Sequence, residues 1–290
     1  MKIAYIVLAY KNPGQVFRMI RKLKSNQAHF FLHIDANSDI KDFKNIPEDI
    51  KNTTSLSGKR FKTNWSSFGC VDALLYNMQN IVEGNEKFDF IITLTGQDYP
   101  IKSPAYIESF FEKHRNNIFI QWVKLPNPMW KNGGRDRMEP YHFNLFKNRI
   151  TIKILHRVMI YLIPILPKKS MGVKYNIYGS EGHFSFPTET VKYMLEFIKN
   201  NPKFLSFFKH TYMPDETIFQ TLLMNSPLKD NVINDTLKYI DWTKPQAGFP
   251  ATLSTEDITN LEKSEKLFAR KFDTSIDSKI LDLIDGRLLK

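Results

Sequence analysis

Only one cysteine, Cys70, occurs in the chain of 290 residues. That excludes an internal disulfide and any Cys-rich metal site, and it favours a reducing compartment. No Asp-x-Asp pair occurs anywhere, and no His or Cys cluster has metal-ligand spacing, so the sequence offers no evident chelate for a divalent ion. Long apolar runs are missing too. Residues 1–10 are too short to cross a bilayer, lack a small-residue cleavage site after them, and read as a first buried strand. Acidic residues are in deficit, with 30 Asp+Glu against 41 Lys+Arg for a net charge of +11. Polyanions, anionic lipids and phosphorylated small molecules all suit that balance, and charge alone does not choose among them.

What is present can bury a sizeable core: 42% of residues are apolar and 13% aromatic. Unbroken apolar or β-branched runs at 3–9, 29–34, 89–94 and 117–123 predict strands covered on both faces. Helical spacing fills the gaps, at 13–25 opening on Pro13, at 67–83, and at 104–114 opening on Pro104 behind a Ser103 cap. Strand and helix in alternation predict an α/β, Rossmann-like nucleotide-binding half over residues 1–123. Residues 124–290 differ, with a basic loop-rich stretch at 124–148, an apolar and basic segment at 150–169, and helices near 187–200, 202–210, 215–225 and 255–267. No repeat or free linker separates the halves, so we expect one domain around a cleft at the carboxyl ends of the strands.

Several motifs fall at those ends. Asp35, in His33-Ile34-Asp35-Ala36-Asn37-Ser38, either accepts hydrogen bonds from a ribose or base edge or closes a turn. Gly96 and Tyr99, in Thr95-Gly96-Gln97-Asp98-Tyr99-Pro100, either admit a ligand to the backbone or form an ordinary loop. The stretches Trp65-Ser66-Ser67-Phe68-Gly69 and Tyr178-Gly179-Ser180-Glu181-Gly182-His183 supply small polar groups suited to a sugar or to plain turns.

Pro214-Asp215-Glu216 marks the start of a helix. A helix N-terminus favours an ionised carboxylate, which could take the proton of an attacking hydroxyl or simply cap the helix. Arg270 and Lys271 stand between Phe268 and Phe272. They are either a solvated pair or the fixed cations that a departing diphosphate needs when no metal is bound.

Taken in order, these segments resemble the core-2/I-branching β-1,6-N-acetylglucosaminyltransferase family, which also contains the peptide O-xylosyltransferases. The resemblance runs from Ile3 through Asp35, Trp65, Leu94 to Pro100, Gly179-Ser180 and Pro214 to Glu216, and on to Phe268 through Asp273. It implies a GT-A-type fold without the usual metal-binding acids, a nucleotide-binding half fused to an acceptor-binding half, and inversion at the anomeric centre. Glu216 is then the expected catalytic base, Lys271 a diphosphate contact and Asp35 a contact to the uridine portion, with Asp98 a further donor contact and Ser180 and Asp215 on the acceptor side.

Animal members place a diphosphate-binding Arg in the region matching 244–250, where this chain has Lys244, so Lys244 or Arg270 is expected to replace it. Arg137, Glu139 and Tyr141, with Arg135, are candidate acceptor contacts. The resemblance also implies a UDP-sugar donor, most simply UDP-GlcNAc, a glycan or lipid-linked glycan acceptor, and no metal cofactor. Animal members carry a membrane anchor and disulfides, and a trimmed, bacterial-type enzyme of surface-glycan synthesis in the cytoplasm is the expectation here.

Segment 150–169 is read either as an interfacial helix on an anionic membrane or as a core helix with a basic solvent face, since Pro164 and Pro167 bar a spanning helix. A xylosyltransferase of the same family and a non-catalytic glycan- or nucleotide-binding module stand as alternatives. Nucleic-acid binding finds no motif.

Overall fold

The computed structural model describes residues 1–143, 148–167, 169–243 and 249–289. The first half runs β1 (Ile3–Ala9), α1 (Pro13–Leu23), β2 (Ala28–Ile34), two single-turn helices α2 (Lys41–Lys44) and α3 (Glu48–Lys51), and β3 (Thr54–Leu56). It continues through α4 (Gly69–Glu83), β4 (Phe90–Thr95), β5 (Asp98–Pro100), α5 (Pro104–Lys113), β6 (Ile118–Ile120) and β7 (Val123–Lys124). Pro13 and Pro104 open their helices as expected, and the Ser103 side chain accepts from Tyr106 N at 3.3 Å.

The helix expected from residue 67 starts two residues later. Trp65 to Phe68 form a turn, and a Cβ at Gly69 would lie 2.0 Å from Lys62 O, so only glycine fits where that turn meets the helix. The run at 117–123 is also divided, with β6 in the central sheet and β7 in a separate pair.

The second half contains α6 (Arg135–Met138), α7 (Arg149–Tyr161), β8 (Tyr178–Gly179), β9 (Phe184–Pro187), α8 (Thr188–Asn200), α9 (Pro202–Lys209) and α10 (Ile218–Met224). It ends with β10 (Val232–Ile233), β11 (Lys238–Ile240), α11 (Ile258–Lys263), β12 (Phe268–Arg270) and α12 (Lys279–Arg287). Among the described residues no helix is long and apolar enough to cross a membrane.

The central sheet has the order β10-β6-β9-β4-β1-β2-β3. β1 pairs in parallel with β2 and β4, β2 with β3 and β6 with β10, whereas β9 runs antiparallel between β4 and β6. Both faces are covered. Ile3, Tyr5, Val7 and Ala9 of β1 pack into one core with α1, α5 and α12, and Ala4 and Ile6 into the other with α4, α8, α9 and α10. That two-sided burial is why the strand sequences are continuous apolar runs instead of alternating ones.

A second sheet, β11-β12-β5, stands against the carboxyl end of β4. It joins residues 98–100 to 238–240 and 268–270, and so carries the C-terminal cations to the strand ends. This mixed α/β architecture with a parallel-rich central sheet is the expected fold class.

Candidate active site

Glu216 ends a single 3-10 turn, Pro214–Glu216, and Thr217 separates it from α10. It therefore sits in the 3-10 turn that Pro214 opens and that leads into α10. Burial raises the proton affinity of Glu216 above that of an ordinary carboxylate; Arg137 opposes the rise, and Asp215 and Glu181 add to it. Asp215 is shifted in the same direction, again mainly by burial. Desolvation of the charged form outweighs the dipole of a short helix.

Arg137, on α6, donates through Nη1 to Glu216 Oε2, and its guanidinium lies 4.3 Å over the Trp130 ring. One carboxylate oxygen is thus held in place by a side chain that is itself stacked. The Glu216 side chain keeps 24% of its surface exposed, so the carboxylate is open to a small molecule.

Residues 179–183 run along this group. Ser180 N donates to Glu216 O at 2.9 Å, and the Ser180 hydroxyl donates to Gln121 Oε1 at 3.0 Å. A Cβ on Gly179 would come within 2.8 Å of Trp130 and 3.0 Å of Glu216 O, so the close passage of this strand depends on glycine. Three residues beyond Ser180 the chain reaches a set of cations. His183 Nδ1 is 3.2 Å from Lys238 Nζ and 3.5 Å from Arg270 Nη1. Burial, with Arg270, Lys238 and Lys271 around it, keeps His183 neutral by holding its pKa well below the ordinary value. A three-residue span measures at most about 11 Å, which ties the Glu216 backbone closely to the cation cluster.

Beneath the cluster lies Asp98, fully buried. Its Oδ2 accepts from Lys238 Nζ at 2.7 Å and from Thr95 N at 2.8 Å, and Arg270 Nε stands 3.4 Å from its Oδ1. Burial opposes charge on Asp98, but Lys238 and Arg270 outweigh it and hold the carboxyl below its usual range. Asp98 was expected at the donor; here it faces two cations and positions Arg270. Lys271 continues from β12, with its ammonium 4.7 Å over the Phe249 ring.

At the end of β2, Asp35 accepts from Asn37 N at 2.6 Å, Thr63 N at 3.0 Å and the Thr63 hydroxyl. Its carboxylate therefore fastens loop 61–64 to the strand end, where Arg60 Nη2 also donates to Asp35 O at 2.6 Å.

The sequence-predicted residues thus divide into four places. Arg137, Ser180, Asp215 and Glu216 form one group; Asp98, Arg270 and Lys271 form the second; Asp35 stands at the neighbouring strand end. Glu139 and Tyr141 line a cavity on the far side of α6 from the Arg137–Glu216 pair. Lys244 lies outside the described residues. Among those described, no group of three His, Cys, Asp or Glu could hold a metal ion.

Lys238, His183, Trp130 and Gln121 were missed. Lys238 left a trace as a lone cation inside the apolar run Leu237-Lys238-Tyr239-Ile240, and His183 lay in the polar motif 178–183 without being singled out.

Xylosyltransferase 2 of Canis lupus familiaris is 21% identical over 99% of this chain, and the Drosophila melanogaster xylosyltransferase oxt is 22% identical over 97%. The chain spans about a third of the length of these relatives, 34% and 33% respectively. Residues 1–349 of S. aureus TarS superpose with a TM-score of 0.34 and 13% identity, covering 73% of this chain and 55% of that one. A family model described as Core-2/I-Branching enzyme matches residues 3–262, a span that contains Asp35, Asp98, Arg137 and Glu216, and the chain belongs to that family.

Proposed function

We propose that the chain is an inverting glycosyltransferase that moves a sugar, GlcNAc in the first instance, from a UDP-sugar to a glycan hydroxyl without a divalent metal. One observation carries this reading. A carboxylate of raised proton affinity is joined by residues 179–183 to a cluster of three cations at the strand ends.

In this reading the diphosphate lies against Arg270 and Lys271, with Arg270 aimed by Asp98. The acceptor hydroxyl approaches Glu216, whose Oε2 is occupied by Arg137. As the acceptor oxygen bonds to the anomeric carbon, its proton passes to the Glu216 carboxylate. The bond to the phosphate oxygen breaks, its electron pair leaves with UDP, and the cations take up the new charge. A single displacement turns an α-linked donor into a β-linked product. His183, kept neutral, offers the one lone pair of Nδ1 to Lys238, with Arg270 alongside, and adds no like charge to the cluster.

The relatives named as xylosyltransferases favour UDP-xylose as a second donor. Hydrolysis and transfer assays over UDP-GlcNAc, UDP-xylose, UDP-GalNAc and UDP-glucose test the proposal. Turnover of one donor supports it, and UDP release from none of them in the presence of glycan acceptors rejects it.

In this reading the acceptor is a glycan or lipid-linked glycan of surface-polysaccharide synthesis, and the enzyme works at the cytoplasmic membrane face. The outward side of α7 supports the membrane contact. Ile150, Ile154, Val158 and Tyr161 are exposed at helical spacing with Lys153 and Arg157 among them, while Ile152, His156 and Met159 face inward.

A further inference from the structure

A cavity of about 560 Å³ lies behind α6, walled by Leu125, Met138, Ile163, Leu166, Ile177 and Phe207. That volume is in the range of small-molecule sites. Its walls are largely apolar, and three charged residues, Arg135, Glu139 and Lys169, stand among them. The Lys169 ammonium donates to His210 O at 3.0 Å and to Thr211 Oγ1 at 3.2 Å, and it lies 4.7 Å over the Phe207 ring. Among the described residues no carboxylate is within ion-pair distance of it, and burial alone pulls its pKa down to about 7. A half-buried ammonium held by neutral oxygens in a largely apolar chamber is poorly solvated, and an incoming anion would offset that cost.

The surroundings point the same way. Between Glu139 and Glu181 the sequence has seven Lys or Arg and no acid. The cavity wall at Ile163 and Leu166 continues α7, whose outer face is the exposed apolar stripe. On its other side the cavity is bounded by α6, where Met138 lines the wall and the adjacent Arg137 holds Glu216. A ligand in the cavity is therefore one short helix away from the candidate base.

We propose that this cavity receives the lipid end of a lipid-linked acceptor, its hydrocarbon chain against the apolar wall and its phosphate against Lys169. The inference rests on the glycosyltransferase reading of the Glu216 site and names the acceptor class for it.

The probe is farnesyl phosphate, with farnesol lacking the charge and inorganic phosphate lacking the chain. Binding is measured calorimetrically on the full chain with saturating UDP present to fill the donor site. Farnesyl phosphate should bind on the order of tenfold or more tightly than either control. Lys169→Met should remove its advantage over farnesol, and Leu166→Trp, which fills the cavity, should weaken both lipids. Circular dichroism and UDP binding on the same samples report that each variant is folded.

Equal binding of farnesyl phosphate and inorganic phosphate overturns the proposal, as does Leu166→Trp binding farnesyl phosphate like wild type. If UDP binds and farnesyl phosphate does not, this inference alone fails; if UDP does not bind, the donor reading fails first.

Discussion

Lys238 and Asp98 form an ion pair at 2.7 Å with side chains 1% and 0% exposed, and Arg270 leans on the same carboxylate at 3.4 Å. The pair fastens β11 to β5 through a salt bridge that water does not reach. Burying one charge is affordable only because the other is there. Lys238→Met should then destabilise by up to about 3–5 kcal/mol, the cost of breaking a buried pair, lessened by Arg270 remaining beside Asp98. Lys238→Met with Asp98→Asn should recover part of that loss. Urea unfolding of the singles and the double decides it, and strictly additive losses would argue against coupling.

Replacing Glu216 by Gln keeps the shape of the side chain and removes the proton acceptor. Turnover should fall on the order of 10²–10⁴-fold while UDP binds as before. Full activity in this variant would show that another group takes the proton.

Arg137 opposes the upward shift of the Glu216 carboxyl, which gives a pH test. A base works only when deprotonated, so kcat should rise with pH through the Glu216 pKa. Arg137→Gln removes the opposing charge, raises that pKa, and should move the acidic limb of the profile to higher pH. An unmoved limb would separate Arg137 from the base.

Fixed cations at a leaving group are worth about 10²–10³-fold each in comparable sites. Lys271→Ala and Arg270→Ala should each lower kcat by that order, and wild-type activity should survive EDTA. Loss of activity to EDTA, restored by manganese, would replace the cations with a metal.

Gly179→Ala places a methyl against Trp130 and the Glu216 carbonyl. The residues behind the Arg137–Glu216 pair must then move, so the variant should lose turnover well before it loses its fold. Melting temperature and kcat on one preparation separate the two effects.

The parallel core was readable because burial on both faces writes itself as unbroken apolar runs, as in Ile3–Ala9 and Phe90–Thr95. β9 was not, since the polar residues 178–183 just before it and the helix after it masked four strand residues whose partners lie 93 to 97 positions away in β4 and 64 to 66 in β6. Glu216 was legible by type and neighbours, but its proton affinity was not, because burial is a property of the assembled fold. Lys238 shows the same limit: a cation in a strand signals nothing until its counter-charge, 140 positions distant, comes into view.

The antiparallel wedge of β9 between β4 and β6 carries one more consequence. A polypeptide stopped at residue 123 would lack the strand in the middle of its own sheet and leave β4 with a bare, aggregation-prone flank. Residues before and after position 123 therefore share one sheet, and exchanging C-terminal segments between relatives would require transplanting part of that central sheet as well.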